Sequence, residues 1–509
     1  LADLVGQQIA WVKTPDDVIK LLDTWLLQHV HDCIDRQVIR ANDGVGERIV
    51  ATAAVVLGPG PVSQKMWDFI FNRINYRLHH KGGLQDHIIS SLTTDGTMHL
   101  GSLIGVTNFS MTTSNIMALA RRYVEQGGKL SIPLDDPQAF PQVVRAAPMS
   151  LNALAGGGFL PRIGDTSGGA DDVIDDRKRL TAYNKPLFLN AWLATKDPRL
   201  AWYIRYIGRK QETDELWEPI NTSASTLQAD PVLNAVTRTM PGFGMTVLEA
   251  HPLQADFLQK QALVMRTGMS GPGAHADQLG LTYYSQGLRI VSDNGRRIST
   301  PDPRSTRRHH TVEVDDKDLT SNPGRGGIGW TESLASLHGV GYTQASAWGA
   351  SHPQLGVYRR QSLLIPSGSN NSYVVDLFRV EGGKVHTWST PGPVASSATQ
   401  LTLNVVTSDR QTDLIKRYLD SEAYENREQA AMPSMLEATW QVPPDNVRKA
   451  QNVPRNSSPP SVNLRLWMAG EPGDTLLRTY GGLIENNHRR YSFNYLHVRR
   501  QSDQPLSNS

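Results

Sequence analysis

The sequence predicts an α+β protein with a helical first half and an antiparallel β-sandwich in its second half. Apolar residues follow helical spacing in most segments before about residue 240, with little strand signal. After that point the pattern changes to short β-rich runs separated by Gly, Pro, Asn and Asp. The change falls around Met240-Pro-Gly-Phe-Gly, and we therefore predict a helical domain over 1–235 and a sandwich domain over 236–509.

The first helix has a strong start signal at Thr14-Pro15-Asp16-Asp17. Thr14 can cap the helix, Pro15 suits its first position, and Asp17 can reach back to the cap as in a capping box. Glycine and proline separate this helix from the ones that follow. Further amphipathic segments lie near 46–57, 62–80, 113–127, 176–195 and 198–208.

The second half contains short runs rich in β-branched and aromatic residues. Their spacing and the turn residues between them are typical of an antiparallel sandwich. The runs begin at Met245-Thr-Val-Leu, Leu288-Arg-Ile-Val, Thr311-Val-Glu-Val, Gly341-Tyr-Thr-Gln-Ala, Ser372-Tyr-Val-Val and Leu401-Thr-Leu-Asn.

Composition excludes several function classes. Fifty-one Lys and Arg residues against 49 Asp and Glu give a net charge of +2, which argues against a nucleic-acid-binding protein held by bulk charge. The single cysteine, Cys33, permits neither an intrachain disulfide nor a cysteine-based metal site. No run of apolar residues is long enough to predict a membrane span. Because the chain begins at Leu1, we expect a processed or truncated N-terminus.

A possible set of metal ligands lies in the second half of the chain. His275 precedes a strand pattern, Asp293 follows the next strand 18 residues later, and His310 precedes a third strand after a further 17 residues. Two imidazoles and a carboxylate suit zinc or a similar divalent ion with one position left open. The alternative is that these are three unrelated residues at strand ends.

The same segment resembles the heparinase II/III-like family of polysaccharide lyases. That family carries a His-Gly-His-x-Asp motif, then a strand, Asp-x-Gly, and a His before a Thr-Val strand. Here His275, Asp277, Asp293 and His310 take the matching positions. Two later stretches are also similar to the family, Tyr358-Arg359-Arg360-Gln-Ser-Leu-Leu-Ile and Tyr373-Val-Val-Asp376-Leu-Phe-Arg379-Val-Glu-Gly382-Gly383. The resemblance covers roughly 40–390.

The resemblance implies an incomplete (α/α) toroid followed by the sandwich, with a structural divalent metal at His275, Asp293 and His310, for which the ligand types favour zinc. It implies a lyase that cleaves a uronic-acid-containing glycan by β-elimination. The partner would be an acidic polysaccharide, with no nucleic acid and no membrane, and the protein would be secreted or periplasmic. The oligomeric state stays open, with a homodimer as one option.

The helical half should then supply the chemistry. The family neutralises the uronate carboxylate with an Asn or His and uses a Tyr or His as base and acid. By this resemblance Asn42 is the candidate neutraliser, and His99 is the candidate base or acid. Each also has a plain structural interpretation, Asn42 as a helix cap and His99 as a turn residue.

Three positions depart from the family pattern. Asp43 stands where a His is frequent, Ile104 where a Tyr is expected, and Gly273 where the motif has its first His. These departures keep alternatives open on the same scaffold. One is a hydrolase with a carboxylate pair drawn from four residues, and the others are a uronate epimerase and a non-catalytic glycan-binding protein. The four carboxylates are Glu47, Asp95, Asp171 and Asp172.

Overall fold

The protein is described here by a computed structural model. It describes residues 14–36, 44–71, 83–93, 95–97, 103–131, 138, 140–166, 185–207, 215–228, 235–250, 259–268, 273–291, 293, 304–319, 328–348, 352–368, 370–393, 400–407, 424–451, 453–486 and 489–507. The helices in these ranges are α1 Pro15–Leu21, α2 Gln28–Asp35, α3 Val45–Leu57, α4 Pro61–Phe71, α5 Leu84–Ser91, α6 Leu103–Glu125, α7 Pro141–Asn152, α8 Lys185–Thr195, α9 Pro198–Ile207, α10 Trp217–Ser225 and α11 Pro444–Ala450, with a π-helical segment Leu22–Leu27 joining α1 to α2.

The start of α1 follows the predicted chemistry. The Thr14 hydroxyl accepts a hydrogen bond from the Asp17 backbone N–H at 3.3 Å. The Asp17 carboxylate in turn accepts from the Thr14 backbone N–H at 2.9 Å. This reciprocal pair satisfies two backbone donors that the first turn of a helix leaves free, and so it defines where the helix begins.

The helices bury a large apolar core. Trp67 is fully buried and its ring lies 5.8 Å from Phe71 and 5.6 Å from Tyr123. The Tyr123 hydroxyl is hydrogen-bonded to Ser63 at 3.1 Å, so its polar end is satisfied inside the core. α6 packs against α3 and α8, and the latter also contacts α7. Burial of one such aromatic side chain stabilises the fold by about 1.5–3 kcal/mol.

All sheets in the described residues are antiparallel. The first has the order β1-β2-β3-β4-β5, the second β10-β9-β8-β7, the third β13-β16-β17-β11-β6 and the fourth β12-β14-β15. Their strands are β1 Arg238–Met240, β2 Met245–Ala250, β3 Gln261–Arg266, β4 Leu281–Ser285, β5 Leu288–Val291, β6 Val312–Val314, β7 Ile328–Leu337, β8 Val340–Trp348, β9 Val357–Ser367, β10 Asn371–Glu381, β11 Val385–Thr390, β12 Gln400–Leu403, β13 Tyr424–Ala431, β14 Met435–Gln441, β15 Asn463–Ala469, β16 Thr475–Asn486 and β17 Arg489–Gln501.

The first sheet is buried on both faces. In β2, Val247 belongs to the core shared with the helices, whereas its neighbour Leu248 belongs to a second core shared with the second sheet. In β3, Val264 likewise belongs to the core shared with the helices, and Leu263 belongs to the core shared with the second sheet. Because successive side chains of a strand point to opposite faces, this sheet lies between the helices and the second sheet.

The α+β fold class is confirmed, with helices as far as Ser225 and strands from Arg238 onward, apart from the short α11. The toroidal arrangement of the helices and the domain boundary at 235/236 stay predictions. Within the described residues, no helix has the length and apolar character needed to cross a membrane.

Candidate metal centre

Two connections of the chain, β3–β4 and β5–β6, bring possible metal ligands together. His275 lies in the connection between β3 and β4, and Asp293 lies just after β5. His309 follows a 3₁₀ turn at Thr306–Arg308 and precedes β6. One ligand atom from each of the three side chains lies within 4.8 Å of the others, and all three residues are buried.

The third member is His309, whereas the sequence prediction named His310. The backbone at His309 is extended, with φ −109° and ψ 165°, and neighbouring side chains of extended chain point in opposite directions. The ring of His310 instead meets Trp388 edge-to-face, with 5.2 Å between the ring centres. Burial, together with the charge of Arg360, lowers the pKa of His310 to about 3, which keeps this ring neutral. The structure thus groups His309, and not the predicted His310, with His275 and Asp293, and we carry these three forward as the candidate ligand set.

The two imidazoles present nitrogens that suit a metal. His309 Nδ1 lies 2.9 Å from Asp293 Oδ2, while its Nε2 is buried and has no hydrogen-bond partner among the described residues. His275 Nδ1 is likewise buried and without a partner within the described part of the chain. Burial alone would lower the pKa of His309, but the charge and hydrogen bond of Asp293 outweigh it and raise the pKa. Buried polar atoms without partners are rare, and neutral imidazole nitrogens are common metal ligands.

A second layer of polar groups surrounds these side chains. Asp165, from the loop after α7, lies 3.1 Å from His275 Nε2 and also binds the guanidinium of Arg304 at 2.6 Å. Burial would raise the pKa of Asp165, but His275 and Arg304 outweigh burial and lower the pKa. Asp277, the motif aspartate two residues after His275, is buried with its carboxylate 3.7 Å from Arg266 Nε.

The Tyr358-Arg359-Arg360 stretch of β9 holds the segments that carry the candidate ligands in place. Arg360 Nη1 donates hydrogen bonds to the carbonyl oxygens of Leu279 at 2.6 Å and His310 at 2.7 Å. Leu279 has a φ of 55°, so this bond helps to fix a strained left-handed residue in the β3–β4 connection. Two residues before Arg360, the Tyr358 hydroxyl donates to the Val312 carbonyl at 2.8 Å. One inward face of β9 thus supports both histidine segments.

Most of the residues that the sequence predicts for catalysis in the helical half lie outside the described residues. Asn42 and His99 lie outside the described residues, as do Asp171 and Asp172. Glu47 is buried in the first turn of α3.

Asp95 is engaged in holding the fold together. Its Oδ1 accepts from Thr97 N at 3.1 Å and from the hydroxyls of Thr93 and Thr97, and its Oδ2 accepts from Gly242 N at 2.8 Å. Oδ1 thus closes the turn that Asp95 forms with Thr93 and Thr97, and Oδ2 ties this turn to the connection between β1 and β2. This use fits a structural role and leaves little of the carboxylate for catalysis.

No family model and no curated protein matches this sequence. Solved structures do. A heparinase III, the BT4657 gene product with methylated lysines, matches with a TM-score of 0.58 at 10% identity, over 99% of this chain and 63% of its own. The heparan sulfate lyase HepC from Pedobacter heparinus matches with a TM-score of 0.51 at 11% identity, over 98% of this chain and 64% of its own. A further heparinase III has a TM-score of 0.53 at 10% identity, over 100% of this chain and 68% of its own.

The chain spans a little under two thirds of the first of these structures. At this level of identity the likeness concerns the arrangement of the chain and not its activity. The protein therefore has a heparinase-like fold.

Proposed function

We propose that this protein is a polysaccharide lyase that cleaves an acidic, uronic-acid-containing glycan by β-elimination. The observation that carries the proposal is the heparinase-like fold, which extends over nearly the whole chain in three solved structures named as heparinase III or heparan sulfate lyase. A glycosaminoglycan of the heparan sulfate class is accordingly the first substrate to test. We further propose that the helical half forms an incomplete toroid over 1–235, and that the protein acts outside the cytoplasm.

In such a reaction the proton on C5 of the uronate is removed and the bond from C4 to the glycosidic oxygen breaks. A C4–C5 double bond forms, and the leaving oxygen takes up a proton. We assign Asn42 to the uronate carboxylate, where an amide donor lowers the cost of removing the neighbouring proton. We assign His99 to the proton transfers, because an imidazole titrates near neutral pH. Both assignments rest on the sequence resemblance.

We also propose a divalent metal, zinc by ligand type, at His275, Asp293 and His309. The support is the pair of buried, unpartnered imidazole nitrogens beside a carboxylate. When bound, the ion would cross-link the β3–β4 connection to the two ends of the β5–β6 connection, and its role would be structural. Metal analysis of the purified protein, with one equivalent of zinc expected, tests this assignment.

The lyase proposal is tested by incubating the full chain with heparan sulfate, heparin, chondroitin sulfate, hyaluronan, alginate and ulvan. Each elimination creates an unsaturated uronate, so ultraviolet absorbance should rise with at least one polymer. Asn42→Ala and His99→Asn should abolish the rise. His338→Asn, in the exposed β7–β8 turn, is the matched control for loss of one imidazole and should leave the rate unchanged.

No absorbance with any uronate polymer would contradict the proposal. Cleaved fragments without a double bond would indicate a hydrolase, and binding without turnover would indicate a glycan-binding protein. The engagement of Asp95 in backbone and hydroxyl hydrogen bonds removes one carboxylate from the hydrolase alternative.

A further inference from the structure

One carboxylate joins three distant segments beside the candidate metal centre. Asp165 belongs to the loop that follows α7 in the helical half, and its side chain contacts His275, 110 residues later in the chain. The same side chain binds Arg304, 139 residues later, at 2.6 Å. Its backbone N–H donates to the carbonyl oxygen of Gly273 at 2.7 Å. Both the main chain and the side chain of Asp165 therefore dock against the connection that carries His275.

This contact determines which nitrogen of His275 is left for a metal. Asp165 Oδ1 is 3.1 Å from His275 Nε2, and an ionised carboxylate can only accept a hydrogen bond. Nε2 therefore carries the proton. In a neutral imidazole Nδ1 then keeps its lone pair, and this is the nitrogen that is buried without a partner among the described residues. The contact also fixes the rotation of the ring.

We propose that Asp165 is a positioning residue, through which docking of its own loop, residues 155–166, against the β3–β4 connection sets the metal affinity of the candidate centre. The inference rests on the metal site proposed above, and it adds a coupling between the two halves of the chain. Carboxylates that hold a metal-binding histidine by its far nitrogen are an established way of tuning a site. Here that carboxylate comes from the opposite half of the chain.

Coupling of this kind works in both directions. If docking of the Asp165 loop favours metal binding, metal binding must favour docking by the same factor. The loop has a second anchor nearby, because the ring of Phe159 stacks on Tyr284 of β4 at 5.0 Å. Metal binding should therefore reduce hydrogen exchange in residues 155–166, which contain no metal ligand.

The simpler interpretation is an ordinary ion pair with Arg304. The Arg304 side chain is 35% exposed and that of Asp165 is 15% exposed, and such a pair contributes little by itself. Two variants separate the interpretations. Arg304→Gln removes the ion pair but keeps the contact with His275. Asp95→Ala removes another carboxylate contact between the two halves, the one to Gly242 N, away from the candidate ligands.

The experiment measures zinc affinity by chelator competition for the full wild-type chain and for Asp165→Ala, Asp165→Asn, Arg304→Gln and Asp95→Ala. We expect Asp165→Ala to weaken zinc binding by about 10–100-fold, the usual effect of removing such a carboxylate. Asp165→Asn should weaken it less, because the amide oxygen can still accept from Nε2–H. Arg304→Gln and Asp95→Ala should bind zinc as the wild type does. Since Asp165→Asn keeps the size of the side chain, it remains informative if the alanine variant folds poorly.

Hydrogen exchange supplies a readout that does not depend on activity. Zinc should increase protection of residues 155–166 in the wild type and in Arg304→Gln, but not in Asp165→Ala. Wild-type zinc affinity in both Asp165 variants would overturn the inference while leaving the metal centre intact. Equal weakening in Asp165→Ala and Asp95→Ala would also overturn it, because the effect would then reflect general loss of docking. Failure of the wild type to bind zinc would instead overturn the metal centre itself.

Discussion

Replacement of Asp376 by alanine should destabilise the strand half of the protein strongly, because it isolates a buried charge. Arg360 has no exposed side-chain surface, and its Nε and Nη2 donate to the two carboxylate oxygens of Asp376 at 2.8 and 2.6 Å. Ser362 also donates to Asp376, at 2.9 Å. Asp376→Ala leaves the guanidinium bonded only to two carbonyl oxygens, with no counter-charge.

Removing one partner of a buried ion pair costs about 3–5 kcal/mol. The side chain of Asp376 is 22% exposed, so water can enter the space that the carboxylate leaves and solvate part of the charge. We therefore expect a loss near the lower end, about 3 kcal/mol, which is roughly a hundredfold change in the unfolding equilibrium.

The assay is urea unfolding of metal-free protein, followed by tryptophan fluorescence, and Trp388 beside His310 supplies a nearby reporter. Arg379→Gln is the matched control, since this arginine also pairs with a carboxylate, Glu381, but is 56% exposed. It should cost less than about 1 kcal/mol. If Asp376→Ala lowers the free energy of unfolding no more than this control does, the Arg360–Asp376 pair does not act as a buried ion pair that stabilises the fold.

Three further predictions follow from the site. His309→Ala should lose zinc while His310→Ala retains it, as measured by metal analysis of the purified variants; the reverse result would restore the original ligand assignment. Burial alone would raise the pKa of Asp95, but the hydrogen bonds to its carboxylate outweigh burial and lower this pKa. The ionised carboxylate therefore stabilises the folded protein fully at pH values above the pKa of Asp95 in the unfolded chain. This stabilisation is lost as the pH falls through the lower pKa of the folded protein. The wild type should accordingly have a higher urea midpoint than Asp95→Asn at neutral pH and should lose that advantage as pH falls through the lowered pKa of Asp95, and a constant difference would contradict this sign. Tyr358→Phe should cost about 1–3 kcal/mol, because it leaves the buried Val312 carbonyl without its hydroxyl donor, and an unchanged urea midpoint would count against that hydrogen bond.

The sequence was sufficient to predict which segments meet at the candidate metal centre, but not which of two adjacent histidines the structure groups with His275 and Asp293. The Asp293 position and the β3–β4 connection follow from strand ends that turn residues mark. His309 and His310 are adjacent in extended chain, so one of them must point away, and spacing along the chain does not distinguish them. Val312 and Val314 of β6 are both buried, as is Glu313 between them, so burial alternation gives no signal either. The ring of Trp388, which contacts His310, lies on another strand, so this contact could not be read from the local sequence.

The contacts of the residues that support the candidate ligands could not be predicted from the sequence either. The Tyr358-Arg359-Arg360 stretch stands out as a motif, yet its function depends on carbonyl oxygens of Leu279 and His310 that only the folded chain brings near. Asp165 lies in a loop of the other half, and no local pattern connects it with His275. Long-range contacts of this kind depend on the packing of the halves, which local periodicity does not encode.

The most direct test of the proposed lyase activity is the mass balance of a cleavage reaction on a defined uronate-containing oligosaccharide of the heparan sulfate class. β-Elimination consumes no water, so the masses of the two fragments should add up to the mass of the substrate. The fragment from the reducing side should carry the unsaturated uronate at its new end. Fragments whose masses together exceed the substrate by one water would mean hydrolysis, and would contradict the assignment of this protein as a lyase.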